Sequence, residues 1–230
     1  MTELLIETDH TCAFFQPGTS DYLMITFGHM GKPGRRTFWG QAATEKLGIA
    51  CIGLVPKHPH WYPVSDFEKI FEVIRPVLAR YKEVICYGFS MGGYAALKFS
   101  VKLQAKHVLA FSPQASIDPD MLGVVDRRYI EFFNAELHAG MEIRPGECID
   151  GALVVCDPGF AADMFHLGAI RAVANIEVVP LPRVQHQTID VVAATDRLSK
   201  VLHILRQDDQ RAAQDLTLAL AEFRDIAPVV

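Results

Sequence analysis

Three features are scarce in this 230-residue chain, and each scarcity closes off a class of protein. Charge of one sign is the first: 22 Lys and Arg against 27 Asp and Glu leave a net charge of −5 and a pI near 6.0. Such a balance gives no basic footprint for nucleic acid, and no run of like charge marks a tail or a membrane-surface patch. Long apolar runs are the second: no stretch reaches the ~18 residues that a membrane span needs. The opening MTELLIETDH is acidic and lacks the apolar core of a signal peptide. Paired cysteines are the third. Cys12, Cys51, Cys86, Cys148 and Cys156 are odd in number and show no CxxC spacing, so free thiols in a reducing compartment are expected. The expectation is a cytoplasmic protein with no membrane insertion and no nucleic-acid partner.

Phosphate-binding signatures are missing as well, since neither GxxxxGK[ST] nor GxGxxG occurs. Apolar residues, by contrast, make up half of the chain, enough to bury about 70% of the unfolded surface in one domain spanning 1–230. Short apolar runs alternate with longer amphipathic ones. The runs read as strands are YLMITF (22–27), IACIGLV (49–55), EVICYGF (83–89), HVLAFS (107–112), ALVVCD (152–157) and IEVVPL (176–181). Helices are expected at about 37–47, 66–80, 91–104 and 162–173, then over 188–224 with a break near Asp208-Asp209. This alternation predicts an α/β fold, a three-layer α/β/α sandwich around a mostly parallel sheet. Residues 114–149 interrupt it with polar, partly helical sequence, which reads as a small cap-like insertion at the sheet's edge.

The segment ICYGFSMGGYAAL (85–97) carries the strongest chemical signal. A serine hydroxyl is a poor nucleophile until a base, a group orienting that base, and oxyanion donors surround it. A serine on a tight strand-to-helix turn needs small residues two before and two after it. Gly88 and Gly92 meet that need around Ser90, with a strand before and a helix after. The glycine-rich turn Gly28-His29-Met30-Gly31, running into Lys32-Pro33-Gly34, follows the first marked strand. The N–H groups of His29 and Met91 are therefore the expected oxyanion donors.

Three histidines lie far enough downstream to serve as base. His203 sits within VLHIL on the last long helix, and His166 also falls in a helix. His186, in PRVQHQ, follows the last strand on a loop and is preferred. Two carboxylates compete for the orienting role. Asp163 is favoured, and Asp157, at the strand end before Pro158, is the alternative. In the loop PKHPHWYP (56–63), His60, Trp61 and Tyr62 are candidate pocket walls together with Gly28. Trp61 and Tyr62 would either stack on substrate or pack the loop against the core. His58 and His60 form an HxH pair without a nearby carboxylate, so no metal is expected.

With Gly88-Phe89-Ser90-Met91-Gly92 as nucleophile elbow, Asp163 or Asp157 as acid and His186 as base, the chain resembles the α/β-hydrolase superfamily from about residue 20 to about 205. GFSMGGYAAL, followed by a strand ending Phe111-Ser112-Pro113-Gln114, looks like a group of small bacterial hydrolase-like proteins. Two departures stand out: Phe27-Gly28 replaces the usual His-Gly, and the acid loop is longer than in common members. The resemblance implies a serine hydrolase without metal or organic cofactor, acting on a small-molecule acyl substrate. The leading expectation is hydrolysis of a small ester or thioester. The alternatives are an acyltransferase using the same acyl-enzyme, and a catalytically silent protein that keeps the fold for binding.

Overall fold

A computed structural model describes residues 1–30, 37–207 and 210–226. The turn residues Gly31, Lys32, Pro33 and Gly34 and the break at Asp208-Asp209 lie outside the described residues. Among the described residues eight strands form one sheet: β1 (Glu3–Glu7), β2 (Thr11–Gln16), β3 (Tyr22–Phe27), β4 (Ala50–Pro56), β5 (Glu83–Phe89), β6 (His107–Phe111), β7 (Ala152–Cys156) and β8 (Ile176–Pro180). Their spatial order is β1-β2-β4-β3-β5-β6-β7-β8. From β4 to β8 every pairing is parallel, while β1 and β2 join antiparallel at one edge. The six strands expected from the sequence are present with ends shifted by at most one residue. The hairpin of β1 and β2 was not expected, because ELLIE at the edge is half-exposed and too mixed in polarity to stand out.

Among the described residues there are seven helices: α1 (Gln41–Lys46), α2 (Val64–Leu78), α3 (Met91–Lys98), α4 (Pro119–Leu122), α5 (Ala161–Arg171), α6 (Thr195–Arg206) and α7 (Ala212–Ile226). Strand side chains alternate between two cores, as the pleat requires. Leu23, Ile25 and Phe27 of β3 pack with Phe67, Ile70 and Ile74 of α2 and with Leu167 and Ile170 of α5. Tyr22 and Met24 of the same strand face the other way, toward Leu198, Leu202, Leu216 and Leu220 of α6 and α7. The three expected layers are therefore present. Helix α3 stops at Lys98, short of the expected 104, and the stretch read as one helix from 188 begins with a 3-10 turn, Thr188–Val192.

Residues 113–150 contain only α4 and a 3-10 turn, Ile130–Phe132, and side chains of α3 help to hold the segment. Lys98, 4% exposed, donates from Nζ to the Glu142 carbonyl and the Glu147 carboxylate, both at 2.6 Å. The Tyr94 hydroxyl donates to the Met141 carbonyl at 2.6 Å. Among the described residues no helix is long and apolar enough to cross a membrane.

The 56–63 loop turns inward at Trp61 and Tyr62, both at positive φ (43° and 47°). His60, Trp61 and Tyr62 are 0%, 0% and 1% exposed. The Tyr62 hydroxyl donates to the carbonyls of Gly28 (2.8 Å) and Leu54 (3.3 Å). The His60 ring accepts the Tyr62 N–H at Nδ1 (2.9 Å) and faces Thr11 Oγ1 through Nε2 (3.3 Å). Trp61 and Tyr62 take the second course open to them and pack the loop against the core, and His60, expected as a pocket wall, is buried beside them. Gly28 donates its N–H to Leu54 O at 2.9 Å.

Burial, reinforced by His58 and His10, pushes the His60 pKa down from 6.5 to about 3. Below pH 6.5 the unfolded chain therefore binds a proton that the folded chain refuses. Stability should fall by about 1.4 kcal/mol per pH unit from this residue as pH drops from about 6.5 toward about 3. His60→Gln is expected to flatten that slope, read from urea midpoints at pH 7 and pH 4.5.

Candidate active site

Ser90 sits between β5 and α3 with φ 56° and ψ −118°, a backbone conformation that non-glycine residues rarely adopt. The strain is imposed by close packing on both sides. A Cβ on Gly88 would lie 2.2 Å from Gly92 O, and a Cβ on Gly92 would lie 2.2 Å from Phe27 O. The backbones of β3, β5 and α3 thus approach as only glycine permits. Gly92→Ala is expected to cost about 1–3 kcal/mol or more, visible as a lowered thermal midpoint.

His186 reaches the serine from the loop after β8. Its Nε2 lies 3.1 Å from Ser90 Oγ, and its Nδ1 lies 2.8 Å and 3.0 Å from the two Asp163 carboxylate oxygens. A carboxylate only accepts, so Nδ1 carries a proton, and in the neutral tautomer this leaves Nε2 bare toward the serine. Asp163 stands in the first turn of α5 and is 2% exposed. Of the two candidate carboxylates, it is the one that meets the imidazole.

Asp157 has a different occupation. Its Oδ1 accepts the N–H of Gly159 (2.8 Å), and its Oδ2 accepts those of Val184 (2.9 Å) and Gln185 (2.7 Å). It ties down the loop in which Arg183 and Gln185 take positive φ (71° and 51°), immediately before His186. The alternative acid thus holds the backbone that delivers the histidine.

Several residues around Ser90 were not singled out as site residues by the sequence. Gln114, fully buried, accepts the Ser90 hydroxyl at Oε1 (3.1 Å), while its Nε2 is 3.4 Å from His186 Nε2. One hydroxyl proton therefore has two acceptors at equal distance. Tyr129 is half-buried; burial raises the pKa of its phenol, with Arg128 and Ser90 opposing. Phe89, Tyr129 and Phe160 place rings 5.1 Å, 6.3 Å and 6.3 Å from the His186 ring. Ser90 itself is only 4% exposed. A cavity of about 620 Å³ lies elsewhere, walled by Phe38, Trp39, Gln41, Ile189, Asp190 and Leu198.

The two expected oxyanion donors lie at neighbouring strand ends. Strands β3 and β5 pair in parallel with Phe27 opposite Gly88, so the residues after each emerge at the same sheet edge. Met91 opens α3, where N–H groups have no partner within the helix. The His29 ring packs edge-on to Phe89 at 5.5 Å, and burial lowers its pKa, with Asp190 opposing. His166, set aside as base, accepts the Ala115 N–H at Nδ1 (3.1 Å) and meets Asp126 Oδ2 through Nε2 (2.9 Å). His203 lies on α6 beside Gln207 (2.9 Å). Among the described residues no group of three or more His, Cys, Asp or Glu side chains is placed to hold a metal.

No family model matches the sequence, and no curated protein matches it. Solved structures do. The capsule O-acetyltransferase of Neisseria meningitidis serogroup A superposes with TM-score 0.59 at 10% identity, over 85% of this chain and 92% of that one. A Thermogutta terrifontis esterase, phosphonylated by cyclosarin, gives 0.53 at 13% identity over 82% and 84%. Est1E from Butyrivibrio proteoclasticus gives 0.51 at 12% identity over 97% of both chains. The mostly parallel eight-stranded sheet and these likenesses establish the class: this chain has the α/β-hydrolase fold. At such identities the likeness concerns the fold, and the chemistry has to be argued from the site.

Proposed function

We propose that this protein is a serine hydrolase that cleaves a small ester or thioester through an acyl-enzyme on Ser90. The observation that carries the reading is the continuous contact from Ser90 Oγ to His186 Nε2 (3.1 Å) and from His186 Nδ1 to Asp163 (2.8 Å), with the serine on a strained turn. In the first half-reaction Ser90 Oγ bonds to the substrate carbonyl carbon and its proton passes to His186 Nε2. The carbonyl electron pair becomes an oxyanion, received by the N–H groups of His29 and Met91. Collapse expels the alcohol or thiol, which takes the proton back from Nε2. Water then repeats the sequence at the acyl-enzyme and releases the acid. Asp163 stays ionised throughout, fixing the tautomer and balancing the imidazolium. Phe89, Tyr129 and Phe160 supply an apolar rim suited to a small acyl group.

A second reading keeps the acyl-enzyme but passes the acyl group to a hydroxyl acceptor. The likeness to a capsule O-acetyltransferase is one of fold, and one fold can serve transfer as well as hydrolysis. Intact-mass analysis after fluorophosphonate treatment tests both. One covalent adduct on the folded protein is expected, and its absence would sink the acyl-enzyme. Turnover of an aryl acetate with and without added alcohol then separates the two: acceptor-dependent turnover identifies a transferase.

A further inference from the structure

Asp163 and His166 stand three residues apart in α5 and share a face of that helix. Both are engaged by the 113–150 connection. Arg128 donates from Nη2 to Asp163 Oδ1 (2.9 Å) and to Asp126 Oδ2 (2.6 Å), and from Nε to the Asp126 oxygens (2.9 Å and 3.1 Å). Asp126 in turn meets His166, whose Nδ1 accepts the N–H of Ala115, the residue next to Gln114. Gln114 returns to Ser90. The contacts close a ring that runs through Ser90, His186, Asp163, Arg128, Asp126 and His166.

The charges in this ring can be counted. His166 accepts at Nδ1, so it is a neutral ring donating through Nε2 to Asp126. Burial alone would raise the Asp126 pKa, but the hydrogen bonds from His166 and Arg128 hold the carboxyl well below its usual range. Burial works against the Arg128 charge too, and Asp126 and Asp163 more than offset it. Two carboxylates and one guanidinium leave a net charge of −1 beside His186, one counter-charge for one imidazolium. Without the guanidinium, carboxylates that are 3% and 2% exposed would face each other uncompensated, and Asp163 would lose the bond that fixes its oxygens. The same count argues against Arg128 as a receptor for substrate anions, because its charge is already spent.

We propose that Arg128 is a positioning residue: it clamps Asp163 in the orientation that holds His186 and makes the site depend on docking of the 113–150 connection. The proposal rests on the acyl-enzyme reading for its kinetic consequence, but its structural consequence can be read without turnover. In the folded wild type, the Nδ1 proton shared by His186 and Asp163 should give a low-field proton NMR resonance. Arg128→Met is expected to remove that resonance and to slow fluorophosphonate labelling by about 10²-fold. In ester turnover kcat should fall while KM changes little, since Arg128 does not touch substrate. Arg128→Lys, which keeps the charge but loses the planar fork, should restore part of both signals.

An Arg128→Met protein that keeps the resonance and labels within about threefold of wild type would overturn the proposal. So would absence of the resonance from the wild type. If Arg128→Met does not fold, Arg128→Lys decides alone: labelling slowed about tenfold supports the clamp, and wild-type labelling overturns it. A wild type that shows the resonance but forms no adduct would instead overturn the acyl-enzyme and leave the clamp standing.

Discussion

Ser90→Ala is expected to abolish the fluorophosphonate adduct and to lower ester turnover by about 10⁶-fold, with the fold intact. The size of the effect follows from the division of labour at the site. His186 and Asp163 have no function toward a carbonyl carbon once the oxygen that attacks it is gone, so the three residues fail together. What remains is the oxyanion turn and substrate binding, worth about 10³–10⁴ over water. Stability should hold or rise, because alanine at position 90 removes a buried hydroxyl whose single proton is contested by His186 and Gln114. Intact mass reads the adduct, and a thermal melt confirms that the loss is chemical. A Ser90→Ala protein that still takes one equivalent of probe would place the nucleophile elsewhere.

The two carboxylates Asp157 and Asp163 should separate cleanly. Asp163→Asn is expected to slow labelling by about 10⁴-fold. An amide facing Nδ1 can donate, which allows the ring to carry its proton on Nε2 and to point that proton at Ser90. The base then has the wrong tautomer for accepting. The same change removes one anion from Arg128, which keeps Asp126, so folding should survive. Asp157→Asn should do the reverse. Its carboxylate uses both oxygens to receive three backbone N–H groups, and an amide offers only one oxygen, leaving N–H facing N–H. A loss of about 1–3 kcal/mol in stability and only about tenfold in labelling is expected. Thermal melts and labelling rates of the pair together check this. Equal kinetic losses would mean that the orienting role is shared.

The described residues that carry the site differ in how visible they are along the chain. Ser90 is visible because its requirements are local: Gly88 and Gly92 are dictated by backbones crossing within a few residues of the serine. His186 is visible because it follows the last strand on a loop, whereas His166 and His203 fall within helices. Choosing between Asp157 and Asp163 is harder, since they stand only six residues apart between β7 and the first turn of α5 and the choice depends on the direction in which α5 starts. Gln114 stands in a stretch the sequence does mark, Ser112-Pro113-Gln114, without any sign of its partner. Arg128 carries no local signal at all: one arginine in a polar connection looks like surface charge. His60, Trp61 and Tyr62 look like an exposed aromatic loop until two positive φ angles turn them into the core.

By itself, then, the sequence determined the alternation of β and α, the parallel sheet and the turn that presents Ser90. All of these are written in short-range periodicity and in glycines where a side chain has no room. The tertiary structure alone decided which aspartate meets His186, which one holds its loop, and that a connection distant in sequence supplies Gln114, Tyr129 and Arg128 around them. The reason is physical. Hydrogen bonds and ion pairs between residues 23 to 96 positions apart depend on how packed elements aim their side chains, and no local pattern records that direction.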